Sequence, residues 1–268
     1  MHAQTFKTPS AILALCILGL AILSALFPGL FASGNPDSGT AEPLLSPSLE
    51  HWFGTDAVGR DLYTRVVYGT RQSLLGALIA VSVGLVLGTL IGLLAGALRG
   101  WVDIVLMRFV DVLLSIPALL LSLSVIILLG FGTFHAAIAV GLTSVATFAR
   151  LARSRVLAVA QLDYVEAAYG SGATRSQVLF RHILPNSLTP VLALAAVQFG
   201  SAILQLAVLG FLGYGTPPPT PEWGVIIADA RNYIATSWWL TVLPGLTIII
   251  VVMATNHLSH LLQKETNA

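Results

Sequence analysis

Residues 164–186 read YVEAAYGSGATRSQVLFRHILPN. They form a polar island carrying Glu166, Arg175, Arg181 and His182 in a chain of 268 residues, of which 9% are charged and 56% hydrophobic. Local signals within it describe two short helices joined by a sharp turn. Asp163 followed three residues later by Glu166 has capping-box spacing, and Thr174 with Gln177 repeats it. Gly172 between them supplies a residue able to take the left-handed conformation that ends a helix. Pro185 disfavours helix at Leu184, so the second helix is expected to stop there. The result is a rigid knob suited to docking, although a plain surface loop with two helices carries the same local pattern.

What surrounds the island belongs in a membrane. Soluble domains carry about a quarter of their residues as charges, whereas this chain has a mean hydropathy of +0.87. Its net charge of +1 comes from thirteen basic and twelve acidic residues scattered along the sequence, which excludes a basic field for nucleic acid. The single cysteine, Cys16, lies in an apolar run and can form neither an internal disulfide nor a thiolate metal site.

About twenty apolar residues cross a hydrocarbon core of roughly 30 Å. On that measure six spans are expected, at about 11–31, 73–98, 112–131, 134–149, 188–212 and 240–262. The first could instead be a signal peptide with Lys7 as its charged region; the length of the run and the five spans that follow favour a membrane span. The predicted organisation is an amino-terminal segment at 1–10, the first span, an outer loop at 32–72, a permease-like core at 73–262 that includes a coupling loop at 150–187, and a tail at 263–268. Gly84, Gly88, Gly92 and Gly96 recur every four residues and share one helix face, where another backbone can come close. Arg99, Trp101, Asp103, Arg108 and Asp111 read as a short polar connection between the second and third spans. The fourth span ends at Arg150, Arg153 and Arg155.

Two loops lie on the opposite side from the island. The first contains His51, Asp56, Arg60, Asp61, Arg65 and Arg71, and aspartates and arginines this close hold a loop in shape by mutual hydrogen bonds more readily than they form a catalytic carboxylate pair. The second, 213–237, is proline-rich around Thr216–Trp223, too much so for helix in its first half, and leads to Trp238 and Trp239, an interfacial aromatic anchor. Lys7, Arg99, Arg108, Arg150, Arg153, Arg155, Arg175, Arg181 and Lys264 fall on the island's side, against Arg60, Arg65, Arg71 and Arg231 on the other. The positive-inside rule then places both termini and the island in the cytoplasm.

Several of these stretches match one family in order. Glu166-Ala167-Ala168, then Gly172, then His182-Ile183-Leu184-Pro185 resembles the cytoplasmic EAA loop of ABC importer permeases. HWFGTDAVGRDLYTR with YGTRQSL, GWVDIVLMRFVD with SIP, and LGFLGYGTPPPTPEWG with SWWLTVLPG are similar to the dipeptide, oligopeptide and nickel permeases, and specifically to the second of their two permease subunits. The resemblance runs from about His51 to Pro244. It implies an all-α, six-span type I importer permease of the bacterial inner membrane, with no catalytic, cofactor-binding or metal-binding residues of its own. No GxxxxGK[ST] occurs, so ATP and Mg would be bound by two separate cytoplasmic ATPase subunits.

The resemblance assigns roles to residues. Glu166, Ala167, Ala168, Gly172, Arg175, His182, Pro185 and Asn186 would meet the ATPase. Asp56, Arg60, Asp61 and Trp223 would face a periplasmic or lipid-anchored substrate-binding protein, and a homologous second permease would complete the pathway across the bilayer. Two departures from the family stand out: no GDxLRDxLDP-like sequence follows the sixth span, and no acid occurs near Gln205 and Leu206. Peptides are the expected cargo, with nickel or a metal chelate as the alternative. His257 and His260 could share a helix face toward a metal, but near a helix end they fit an interfacial role better. An ion-driven transporter would show more ionisable groups within its spans, and an intramembrane enzyme would need a nucleophile and base together at membrane depth.

Overall fold

The structure, a computed structural model, describes residues 8–266. The amino-terminal stretch with Lys7 and the last two residues of the tail lie outside the described residues. Among those described there is no strand, only an isolated antiparallel bridge between Thr55 and Asp61. In chain order the helices are α1 (Pro9–Leu26), α2 (Leu62–Leu98), α3 (Gly100–Ser115), α4 (Ala118–Leu129), α5 (Thr133–Val159), α6 (Asp163–Gly170), α7 (Arg175–Val178), α8 (Leu184–Phe211), α9 (Trp223–Ala230) and α10 (Trp239–Thr266). Five helical stretches are long and apolar enough to cross a membrane, and the pair α3 and α4 makes a sixth if the two count as one broken span.

The spine of the molecule is the parallel pair α2 and α5. Added β-carbons show how close the two backbones come: one at Gly88 would lie 2.5 Å from the Val145 carbonyl oxygen, one at Gly92 2.4 Å from that of Ala149, and one at Gly96 2.7 Å from Cγ1 of Val156. The four-residue glycine repeat thus faces the helix that leads into the polar island. Such close approach matters where lipid is as apolar as any side chain, because packing contacts then drive helix association in place of water expulsion. Against this pair lies α8, with α10 packed on α8, and a continuous core joins Leu62, Val66 and Ala80 of α2, Val140 and Phe148 of α5, Ile203 and Leu206 of α8, Trp223 of α9 and Leu240 of α10. α1 packs on the outside, against α2 and α10.

Several expected boundaries shift. Helix α2 begins at Leu62, so residues 62–72 are helix and not loop; Asp61 caps it, accepting from the Thr64 amide at 2.8 Å. Residues 100–111, read as a connection, are helix α3. Its acids are neutralised laterally: Asp103 takes a bidentate pair from Arg153 of α5, both contacts at 2.5 Å, and Asp111 accepts from Arg150 at 2.8 Å. The same pairs let α5 continue past Ala149 to Val159. The third span does not run straight through 112–131. It breaks at Ser115–Pro117, where Ile116 and Pro117 are extended in ψ, and α3 and α4 meet at 98°. With twelve residues, α4 is about 18 Å long at 1.5 Å per residue and cannot cross alone.

Candidate coupling knob and outer lock

The polar island folds as a compact knob with its own small core. Val165 of α6, Val178 of α7 and Ile183 pack against Leu93 of α2 and Val156 of α5, which ties the knob to the end of the spine. Gly172 has φ +87° and lets the chain turn sharply between α6 and α7, and a β-carbon there would meet nothing within 4 Å. The requirement for glycine is therefore one of backbone conformation. Thr174 forms the expected capping box: its hydroxyl accepts from the Gln177 amide at 3.3 Å and its own amide donates to the Gln177 side chain at 2.9 Å. The box expected at Asp163 does not form. Leu162 is the cap and Asp163 already lies inside the helix, where it and Glu166 place negative charge in the first turn, favourable against the helix dipole.

Pro185 does not stop the second helix. Residues 179–183 widen into a π-turn, with the Leu184 amide reaching the Leu179 carbonyl, and the helix continues as α8. The wider turn accommodates a proline that supplies no N–H and would crowd the preceding turn of a regular helix. Side chains serve nearby carbonyls: Asn186 donates to His182 O at 2.6 Å and Ser187 to Ile183 O at 2.7 Å. The knob therefore joins α8 as one continuous helical path.

Glu166, Ala167, Gly172, Arg175, Pro185 and Asn186 are all solvent-exposed. Ala168 is half-buried against the knob's core, and His182 is half-buried with its ring 6.4 Å from that of Tyr164. Arg175 lines a cavity beneath the end of α2.

At the other end of the spine, the outer loop is braced as expected. Asp56 accepts from the amides of Val58 and Arg60 and from Arg60 Nε at 2.6 Å. Asp61 accepts from His51 Nδ1 at 2.9 Å besides capping α2. Arg65, 2% exposed, donates to the carbonyls of Pro36 and Pro219 and so joins the two outer loops. Asp229 of α9 stands 3.8 Å from guanidinium nitrogens of both Arg60 and Arg65. Burial pushes its carboxyl above the usual range, against the pull of Arg65 and Arg60. Trp223 is only 1% exposed; its indole donates to the Val66 carbonyl at 3.1 Å and its amide to Ser73 Oγ. Its side chain thus holds α9 against α2 and is not presented outward.

The residue missed in the sequence is Glu222. It is 2% exposed, and its Oε2 accepts from the Thr133 hydroxyl at 2.7 Å, the Thr216 amide at 2.8 Å and the Thr216 hydroxyl at 2.9 Å. This locks the proline-rich loop and α9 onto the first residue of α5. Its signal was legible: it is the first charged residue after Arg181, and a lone acid at the end of an apolar span needs internal donors.

With the knob, the glycine-packed spine and the outer lock in place, the comparisons agree. The family described as binding-protein-dependent transport system inner membrane component matches residues 88–265. The chain is 41% identical, over 94% of its length and 84% of the relative's, to the dipeptide transport system permease protein DppC of Alkalihalophilus pseudofirmus. It is 40% identical to the probable D,D-dipeptide transport system permease protein DdpC of Escherichia coli, over 93% of this chain and 84% of that one. The glutathione transport system permease protein GsiD of Pectobacterium atrosepticum is 41% identical over 78% of this chain and 70% of its own. In fold, the chain aligns with the inward-facing methionine ABC transporter MetNI at a TM-score of 0.62 and 18% identity, covering 75% of this chain and 96% of that one. An amino acid ABC transporter aligns at 0.58 and 16% identity, covering 75% and 94%. The chain belongs to the family of inner membrane components of binding-protein-dependent transport systems, as a DppC-like permease with the type I importer fold.

Proposed function

We propose that this permease lines half of a pathway for di- and oligopeptides across the bacterial inner membrane, paired with a similar second permease. The knob at 163–186 receives the motion of two cytoplasmic ATPase subunits, which bind ATP and Mg. The observation that carries this reading is mechanical: the knob has its own core, is wedged against α2 and α5, and is continuous with α8, so displacing it must move transmembrane helices as bodies. Glu166, Ala167 and Gly172 are exposed and available to an ATPase cleft. Arg175, His182, Pro185 and Asn186 support the knob's shape or its rim.

The arginine and lysine distribution supports cytoplasmic termini. Asp56, Arg60 and Asp61 shape the outer surface on which a substrate-binding protein docks, with Trp223 acting from beneath. Relatives named for dipeptides, D,D-dipeptides and glutathione favour peptides over nickel as cargo. Among the described residues, no three of His, Cys, Asp and Glu converge as a metal-ligand set.

The test is uptake with ATPase stimulation in proteoliposomes holding this chain, its partner permease, the ATPases and the binding protein, offered a dipeptide, a longer peptide and nickel chelates in turn. Stimulation by peptide-loaded binding protein is expected. Stimulation by a chelate alone would replace the cargo, and uptake without ATP would refute the mechanism.

A further inference from the structure

On the knob's side of the molecule, the end of α2, the inner end of α5 and the start of α7 enclose a cavity of about 690 Å³. Leu98, Val156, Leu179 and Ile183 give it apolar walls, and Arg99 and Arg175 bring two guanidinium groups to it. No acidic residue lines it, and neither arginine is ion-paired with a described residue. Where the chain brings Arg60 and Arg65 together on the other side, it supplies Asp56 and Asp229 as counter-charges. Two cations sharing a cavity without a carboxylate repel each other and leave room for an anion from outside the chain.

The backbone adds a second, independent observation. Arg99 has φ +53° and ψ −168°, a conformation that glycine adopts freely and side-chain-bearing residues rarely do. A cation is held at a position where glycine would be the relaxed choice. Its setting indicates the source of the anion. Leu98, Trp101 and Ile104, which flank it, are 63%, 80% and 65% exposed, so Arg99 sits at the rim of a surface that a bilayer must cover, with an aromatic residue at interfacial depth.

We propose that this cavity binds an anionic phospholipid, its phosphate held between Arg99 and Arg175 and an acyl chain running along Leu98, Val156 and Leu179. Basic pockets between helices at a membrane boundary suit this chemistry. Because the walls come from both the spine and the knob, the lipid fastens the two together. The inference needs only the membrane setting and is independent of cargo.

The experiment uses the assembled transporter in phosphatidylcholine nanodiscs with graded phosphatidylglycerol, and counts retained lipid by native mass spectrometry. Arg99→Gly removes the charge while relaxing the backbone, so its thermal stability is expected not to fall, and any lipid loss cannot be ascribed to misfolding. Arg175→Gln removes the second cation. Each substitution is expected to weaken phosphatidylglycerol retention about fivefold, the scale of one cation against an anionic lipid surface, and the pair to do so multiplicatively. Inorganic phosphate is expected not to compete. Undiminished retention in the double variant overturns the proposal, as does displacement by inorganic phosphate, which would make this a soluble-anion site. Loss of ATPase co-purification from Arg99→Gly with lipid retained would also overturn it, assigning the cavity to a partner subunit.

Discussion

Replacing Glu222 tests whether one buried carboxylate holds the outer loops to the spine. In Glu222→Ala, three donors lose one acceptor. The Thr133 and Thr216 hydroxyls lie side by side, so one can turn to donate to the other, which leaves the Thr216 amide and one hydroxyl proton orphaned. At about 1–3 kcal/mol for each buried group left unpaired, the cost is about 2–6 kcal/mol. In Glu222→Gln the amide oxygen can take the place of Oε2 and keep the bonds, which lose only their charge assistance, for a cost of about 1–2 kcal/mol. Its new NH₂ would lie where Oε1 now sits, close to Gly210. Thermal unfolding of the detergent-solubilised chain, followed by tryptophan fluorescence since Trp223 adjoins the site, should therefore rank wild type above Gln above Ala. A Glu222→Ala protein as stable as wild type, with Trp223 fluorescence unchanged, would refute the view that this carboxylate fastens the loop.

Three further outcomes are expected. Gly172→Val must place a β-branched residue at φ +87°, costing about 1–2 kcal/mol of backbone energy, and should abolish most binding-protein-stimulated ATPase activity; full stimulation would show that the turn tolerates any residue. Gly92→Leu drives a side chain into the α5 backbone, its β-carbon 2.4 Å from the Ala149 carbonyl oxygen and 2.8 Å from the Arg153 nitrogen, so the helices must part at a cost of about 1–3 kcal/mol or more; wild-type thermal stability would contradict the packing. Because burial raises the Asp229 carboxyl, the folded state favours its protonated form, and stability present below the unfolded value of about 4 is lost as pH rises through the folded value. Asp229→Asn should therefore be more stable than wild type at neutral pH, with the gap closing below about pH 4; a gap that widens with acid would reverse the sign.

Much of this was readable from residue order because membrane chemistry is simple where charges are absent. Apolar runs located the spans, the glycine repeat marked a close-packing face, and Gly172 and Thr174 announced the turn that forms. The failures share a cause: hydropathy registers a charge but not its partner. Asp103 and Arg153 lie far apart in sequence and neutralise each other across two helices, so a helix was mistaken for a connection and another was cut short at Arg150. Pro185 misled because its usual effect assumes a regular helix, and a π-turn removes the conflict. The cap at Asp61 hid the start of α2, since polar residues in a helix outside the bilayer carry no apolar period. The resemblance set Trp223 toward a binding protein, with bracing of its own loop as the equal alternative, and it is the bracing that forms: its indole has a carbonyl acceptor inside.

The unbroken course of α5 sets a geometric limit. Its 27 residues make a rod about 40 Å long, bonded at one end to Glu222 through Thr133 and carrying the knob at the other. Pivoted near its middle against the glycine face of α2, a tilt of about 10° would swing each end by about 3–4 Å in opposite directions. A hydrogen bond of 2.7 Å cannot stretch by that much. The proline-rich loop must then either travel with the rod or release it. Under such a tilt α5 would act as a seesaw, and the Glu222 lock would decide whether the outer rim follows the inner end or breaks away from it.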